Sequence, residues 1–418
     1  MAGGVNFVQN QFMFRLIIFI VILLGLQFYA FQSVRAVTKS SIIYWIYWGV
    51  VSFVLLNLVY HFAIVGGNSR VLTPSKSYAI GFFTTLLVFN LVIVIIVLGE
   101  DIYRLIAGTV SKIRGTSTNG FLPERRKLIG QIALGIAAIP FTSMIYGMVK
   151  GKYNFRVIKH VLTFKDLPEE FDGYKITQIS DIHSGSFDNK EKIEYAVDMI
   201  NDQKSDAIFF TGDLVNNEAT EMLPWMQTFG RMKAKDGVFS ILGNHDYGDY
   251  VSWESDEAKE KNMDMLKNIQ KEMGFDLLLN EHRYLRRGDA KIAIVGVENW
   301  GIGGFKKAGD LKKARKDIND KDFTILMSHD PSHWEAEVLD DSKQFHLTLS
   351  GHTHGMQFGI EIPGWIKWSP IQWKYKQWAG IYNQKDQYLH INRGLGYLAF
   401  PGRVGIWPEI TVIELKRG

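Results

Sequence analysis

The run "LTLSGHTHG" (residues 347–355) ends in two histidines one residue apart, with glycine on either side. Four earlier apolar runs also end in residues that can bind something. "YKITQIS" leads into "DIH" (181–183), "DAIFFTG" into Asp213, "GVFSILG" into "NHD" (244–246) and "FTILMS" into "HD" (329–330). If packing were the only demand, these strand ends would carry Leu or Val. Instead they carry Asp181, His183, Asp213, Asn244, His329, His352 and His354, which offer only oxygen and nitrogen as ligand atoms. Each piece alone is weak. Asp-x-His after a strand is commonly a turn, "GNHD" can be an Asx turn, and "DPSHWEAEVLD" can start a helix with proline in its first turn. The ordered set points to metal chemistry. Seven donors are too many for one ion with open positions, and they suit two ions sharing a bridging carboxylate.

A frame that brings these ends together is visible around them. From about residue 155, short apolar runs alternate with charged, amphipathic stretches such as "NKEKIEYAVDMIND" and "ESDEAKEKNMDMLKNIQKEMG". Strands alternating with helices imply an α/β layered fold, whose ligands gather at the carboxyl ends of strands. The later runs "QYLHIN" and "EITVIELK" follow one another without a helix, which predicts some antiparallel strands and a pair of sheets. "KIAIVGV" (291–297) adds a strand ending before Glu298. Of the 11 histidines, 183, 245, 329, 352 and 354 are assigned to chemistry. His160, His282, His346 and His390 sit in strand-like runs or a loop without neighbouring ligands and are assigned to structure.

Residues 1–150 read differently. Four long apolar stretches, near 12–32, 42–65, 78–99 and 128–149, have charges only at their flanks. Each approaches the roughly 20 residues a spanning helix needs, and Tyr44, Trp45, Tyr47 and Trp48 suit a membrane interface. The expected organisation is a transmembrane helical domain over 1–150 and a catalytic α/β domain over 151–418. Basic residues divide almost evenly between the two faces, eight against seven. "PERRKLIGQIALGIAAIPF" resembles a twin-arginine export signal. That reading and an ordinary basic anchor both place Arg125 and Arg126 inside. The second domain is then expected on the extracytoplasmic side of a multi-pass protein of the bacterial inner membrane.

Composition excludes other classes. The chain has 418 residues and no cysteine, so disulfides, iron–sulfur clusters and thiolate zinc are ruled out. A net charge of +4, without a basic stripe interleaved with aromatics, gives no case for a nucleic-acid partner.

The series "DIH…GD…GNHD…H…GHTH" resembles the calcineurin-like metallophosphoesterases, over roughly residues 170–418. The opening "FDGYKITQISDIHSG" and the ending "NRGLGY…RVGIWPEITVIEL" look like the membrane-anchored or exported bacterial branch. The resemblance implies a four-layer α/β/β/α sandwich with a dinuclear centre of two divalent ions such as Mn, Fe or Zn. Asp181, His183 and His354 would hold the first metal, Asn244, His329 and His352 the second, and Asp213 would bridge. His245 would be the general acid, oriented by Asp246, and Arg393 is a candidate phosphate contact. Asn216 in "GDLVNN" and Met356 in "GHTHGMQ" depart from the usual pattern. The expected activity is hydrolysis of phosphate mono- or diesters, with membrane phospholipids or lipid-linked phosphates among the candidate substrates. The alternatives are a pyrophosphohydrolase on a nucleotide-linked lipid and a catalytically dead membrane scaffold. Trp365, Trp368, Trp373 and Trp378, with Lys367, Lys374 and Lys376, could touch headgroups or cap the cleft; packing on the domain is the plainer alternative.

Overall fold

A computed structural model describes residues 2–65, 71–115, 123–362 and 364–418. Contacts divide the chain into two compact units: Met1–Val65 with Ala79–Ile145, and Gly66–Tyr78 with Tyr146–Gly418.

The helices are α1 (Ala2–Val37), α2 (Ser41–Val59, continued by a π-helical stretch Tyr60–Val65), α3 (Pro74–Ile113) and α4 (Pro123–Val149). All four are long and apolar enough to cross a membrane. α3 runs well past the expected span 78–99. Its 40 residues reach about 60 Å, twice the thickness of a bilayer core. The tail "EDIYRLIAGTVSKI" is polar but holds no proline, so the helix continues where the apolar run stops.

The chemistry of this unit is inside-out. Phe19, Ile22, Phe53, Leu56, Ile95 and Ile139 are exposed, whereas Ala30, Ala133 and Ala137 are fully buried where helices meet. Small side chains let apolar helices approach closely when no water drives them together. Polar groups also face inward: Asn90 Nδ2 donates to Gln27 Oε1 at 2.6 Å, and the Tyr47 hydroxyl to the Gln27 carbonyl at 3.0 Å. Arg125 lies 3.2 Å from Glu100 and Arg126 3.8 Å from Asp101. The paired arginines therefore have a structural use that the export-signal reading does not require.

The second unit is built from β1 (Arg156–Phe164), β2 (Lys175–Ile179), β3 (Ala207–Phe210), β4 (Val238–Ser240), β5 (Phe275–Leu277), β6 (Glu281–Arg287), β7 (Ala290–Gly296), β8 (Thr324–Met327), β9 (Leu347–Ser350), β10 (Ile360–Ile362), β11 (Ile366–Trp368), β12 (Gly380–Gln384), β13 (Gln387–Ile391) and β14 (Glu409–Arg417). Helices α5 (Lys190–Asn201), α6 (Met226–Phe229), α7 (Asp256–Glu272), α8 (Leu311–Ala314) and α9 (Ser332–Ala336) connect them. One sheet has the order β1-β14-β2-β3-β4-β5 and the other β12-β13-β9-β8-β7-β6, while β10 and β11 form a separate hairpin. Ile176, Phe209 and Phe239 of the first sheet share a core with Ile294, Met327 and Leu349 of the second. The outer face of the first sheet is covered by Ile193 and Val197 of α5 and Leu266 and Ile269 of α7. The outer face of the second is covered by Leu311 of α8 and Trp334 of α9. The layers are thus α/β/β/α. Mixed pairing follows the pattern: β2, β3 and β4 are parallel, as are β7, β8 and β9, whereas β14 is antiparallel to β2 and β12 to β13.

Candidate metal centre

β2, β3, β4, β8 and β9 each stop just before the candidate residues, and the chain then turns sharply. Asp181, His183, Asp213, His352 and His354 have φ of 52°, 48°, 60°, 71° and 51°. Side chains other than glycine rarely adopt this region, and its concentration in one place marks strain held by the surrounding structure. Two glycines make the approach possible. A Cβ on Gly351 would lie 1.8 Å from Ser180 Oγ, and one on Gly243 2.2 Å from Asp213 Oδ1. The glycine before His352 therefore lets the second sheet's loop sit directly on that of Asp181, whose carboxylate accepts from the His352 N–H at 3.1 Å.

Two groups of donors result. Asp181, His183, Asp213 and His354 form one; Asp213, His329 and His352 form the other; within each, the ligand atoms lie within 4.8 Å of one another. Asp213 belongs to both. Asn244 joins the second, its Oδ1 being 2.8 Å from His352 Nδ1. His183 Nε2 and His354 Nε2 face each other at 3.0 Å, and His354 Nε2 is 3.0 Å from Asp181 Oδ1. His329 Nε2 approaches Asp213 Oδ2 at 3.1 Å but is not aligned for a hydrogen bond, and His183 Nδ1 is buried without a partner among the described residues. A buried set of imidazoles and carboxylates, with nitrogens facing each other and left unsatisfied, fits divalent cations.

The charges are strongly coupled. Burial alone would lower the basicity of His329, but Asp213 and Asp181 push it up to about 10. Burial alone would raise the Asp213 carboxyl, but His329 and His245 hold it well below the usual carboxylate range. Burial brings His352 down to about 4, opposed by Asp330.

His245 sits beside the groups rather than in them. Its N–H donates to Asp213 Oδ1 at 2.8 Å, and its ring is 4.9 Å from that of His183. Its Nδ1–H donates to the Asn216 carbonyl at 2.7 Å, which leaves Nε2 as the nitrogen able to exchange a proton. Burial lowers its pKa, and the Asp213 charge partly restores it.

Two expectations are corrected. Asp246 does not orient the His245 ring. Its carboxylate accepts the N–H groups of Asp213, Leu214 and Gly243 at 2.8 to 2.9 Å and of Val215 at 3.3 Å, and so braces the loop of Asp213. The orienting group is the carbonyl of Asn216, a position the sequence marked only as a departure. Arg393 is not open to a phosphate. It is 5% exposed, and its guanidinium is bound by Glu409 and Glu361.

Three neighbours were not singled out in the sequence. Tyr250 accepts from Asn244 Nδ2 at 2.7 Å and lies 4.5 Å from the His245 ring. The Tyr375 hydroxyl is 2.8 Å from His352 Nε2 and 3.3 Å from Asp330 Oδ2. Arg403, fully buried, reaches His354 Nδ1 at 3.3 Å. All three lie in loops, where no periodicity announces a contact.

Comparisons with known proteins agree with this geometry. Residues 174–356 match the family model for calcineurin-like phosphoesterases, and residues 12–152 match that described as a probable calcineurin-like phosphoesterase transmembrane domain. The uncharacterized metallophosphoesterase YkuE of Bacillus subtilis is 31% identical over 264 residues, which is 62% of this chain and 84% of that one. The transmembrane protein with metallophosphoesterase domain of Danio rerio is 26% identical over 283 residues, 65% of this chain and 60% of that one. The uncharacterized metallophosphoesterase Cj0846 of Campylobacter jejuni is 25% identical over 293 residues, 69% of this chain and 70% of that one. The chain belongs to the calcineurin-like metallophosphoesterases. It is an integral membrane protein and a metal-dependent phosphoesterase.

Proposed function

We propose that the chain hydrolyses phosphate mono- or diesters of phospholipids or lipid-linked phosphates at a centre of two divalent ions. Asp181, His183 and His354 hold one ion, Asn244, His329 and His352 the other, and Asp213 both. The observation that carries this reading is the sharing of Asp213 by two donor groups. When bound, the two cations supply an acidified water and neutralise phosphoryl charge.

The chain's own residues do the rest. His245, fixed through Nδ1 by the Asn216 carbonyl, presents Nε2 to the departing oxygen and gives it a proton. Burial lowers the basicity of this ring, and the Asp213 carboxylate beside it opposes that shift. Asp246, by fastening four backbone N–H groups, keeps Asp213 in its strained turn. Membrane-borne esters are favoured because the fourth span ends at Val149 and β2 begins at Lys175. The Arg403 N–H donates to the carbonyl of Gly147, in the last turn of that span, at 3.2 Å, so the centre stays near the bilayer. Arg125 and Arg126 at the start of that span support an extracytoplasmic centre, in a bacterial inner membrane.

The test is hydrolysis by the purified full-length chain, reloaded with Mn, Fe or Zn, across phosphomonoesters, phosphodiesters, phospholipids and lipid pyrophosphates. Preference for lipid-borne mono- or diesters, lost on chelation, is expected. Hydrolysis that survives chelation overturns the metal centre, and a preference for soluble nucleotides overturns the substrate class. Protease added to intact spheroplasts tests the side: full protection of residues 155–418 places the centre inside.

A further inference from the structure

The hairpin β10–β11 faces the wrong way for a soluble protein. Residues alternate between the two faces of a strand pair. On one face Glu361 binds Arg393, and Lys367, itself exposed, reaches the Ala379 carbonyl, so the charged head groups are tied to the domain. The other face carries Ile360 and Ile362 opposite Trp368 and Ile366. Ile360 is 50% and Ile362 42% exposed. At the turn Trp365 is 77% exposed, and Trp373, just after β11, is 78% exposed. Of the ten exposed large apolar residues described between 150 and 418, five lie between Met356 and Trp373. Trp378, by contrast, is buried. The tryptophan-rich stretch thus contains Trp378, which packs inward, half-buried Trp368, and exposed Trp365 and Trp373.

The same unit shows what lies beside this surface. Residues 403 and 404 bridge the hairpin's base to the end of the fourth span. The Arg403 N–H donates to the Gly147 carbonyl at 3.2 Å, the Val404 N–H to the Gln357 carbonyl at 2.8 Å and the Gly359 N–H to the Val404 carbonyl at 2.9 Å. A Cβ on Gly147 would lie 2.7 Å from the Arg403 carbonyl, so the last turn of α4 and this loop are in backbone contact. The chain leaves its membrane span within two short hydrogen-bonded links of the hairpin. Exposed Lys374 and Lys376 follow Trp373. Indole rings next to lysines are the composition that settles at a headgroup layer carrying negative charge.

We infer that β10–β11 and Trp373 form a membrane-docking face, which inserts Trp365, Ile360 and Ile362 into the headgroup–acyl boundary of the bilayer that α4 spans. Met356, 57% exposed, stands two residues from His354. The docked face therefore borders the metal centre, which would receive a lipid phosphate from the bilayer surface without its acyl chains crossing water. This deepens the lipid-ester reading, but docking itself does not depend on it.

The chain lacks cysteine, so Trp365→Cys creates a single labelling site. The full-length variant, labelled with an environment-sensitive fluorophore, is placed singly in nanodiscs of phosphatidylcholine and phosphatidylglycerol, with or without spin-labelled lipid. Tyr195→Cys, on α5 and 57% exposed, is the control. A blue-shifted emission at 365 that spin-labelled lipid quenches, with an unshifted and unquenched emission at 195, is expected. Equal, water-like emission at both positions overturns the inference. So does a blue shift that lipid fails to quench and that appears only with two chains per disc, which would assign the face to a second copy. None of these readouts requires turnover, so failure of the lipid-ester reading would be seen separately, in the substrate panel.

Discussion

The two units solve the same problem with opposite chemistry. In the membrane unit many Ile, Leu and Phe face outward, while Ala30, Ala133 and Ala137 are buried beside Ile93 and Val97, and a Gln27–Asn90–Tyr47 network lies among the helices. In the catalytic unit Ile176, Phe209 and Ile294 fill the space between sheets. There a set of buried polar residues gathers in strained loops at the strand ends, as the candidate metal centre. Solvent explains the difference. Against lipid, apolar surface is free to face out and polar contacts join helices; against water, apolar surface must be covered and a buried charge needs a partner. Polar burial is therefore adhesive in one unit and functional in the other.

The largest break in that contrast is expected at Asp213. Asp213→Asn removes the charge both donor groups share. It should abolish activity and release both metals, while the far-UV circular dichroism stays unchanged. Two metals per chain retained at wild-type affinity, by elemental analysis, would remove the bridging role. His245→Ala should keep both metals yet slow hydrolysis of alkyl esters by roughly 10²–10⁴-fold, the usual contribution of a positioned proton donor. Nitrophenyl esters, whose leaving group needs no proton, should lose much less. An equal loss on both ester types would mean that His245 does not donate the proton.

A smaller effect sharpens the contrast through pH. His346 accepts the Thr324 N–H at 3.0 Å and stacks on Phe323, and burial lowers its pKa to about 4. Its folded value lies below that of the unfolded chain. The neutral ring therefore stabilises the fold above about pH 6.5, and this stability is lost as pH falls toward 4, by at most about 3 kcal/mol. Glu221 is pushed up to about 7 by burial and acts in the opposite sense, losing stability as pH rises. The informative quantity is thus the difference between His346→Asn and the parent, in melting temperature from pH 7 to 4. The variant should show the flatter slope, and identical slopes would refute the assignment. The smallest effect is expected in the membrane unit. Asn90→Leu removes the bond to Gln27 and should cost about 0.6 kcal/mol, the average for such bonds in lipid. A loss of several kcal/mol in a detergent-unfolding titration would show that the polar network there does more than join helices.

The sequence by itself determined the membrane helices, the strands that end in candidate ligands and the seven candidate donors. Each rests on a local signal: an apolar run of sufficient length, or an apolar run stopping at Asp, Asn or His beside glycine. Tertiary structure alone decided what each polar group faces. Asp246 is adjacent to His245 in the chain, yet it holds the N–H groups of the Asp213 loop. Asn216, 29 positions away from His245, orients the ring instead. Arg393 sits just before Gly394 in a loop that sequence made a candidate for phosphate, but Glu361 and Glu409 hold it from two different strands. The outward apolar face of β10–β11 was likewise invisible, because alternation in sequence does not say which side faces the domain. Period and composition are properties of neighbours along the chain, whereas the partner of a buried charge is set by whichever element folds against it.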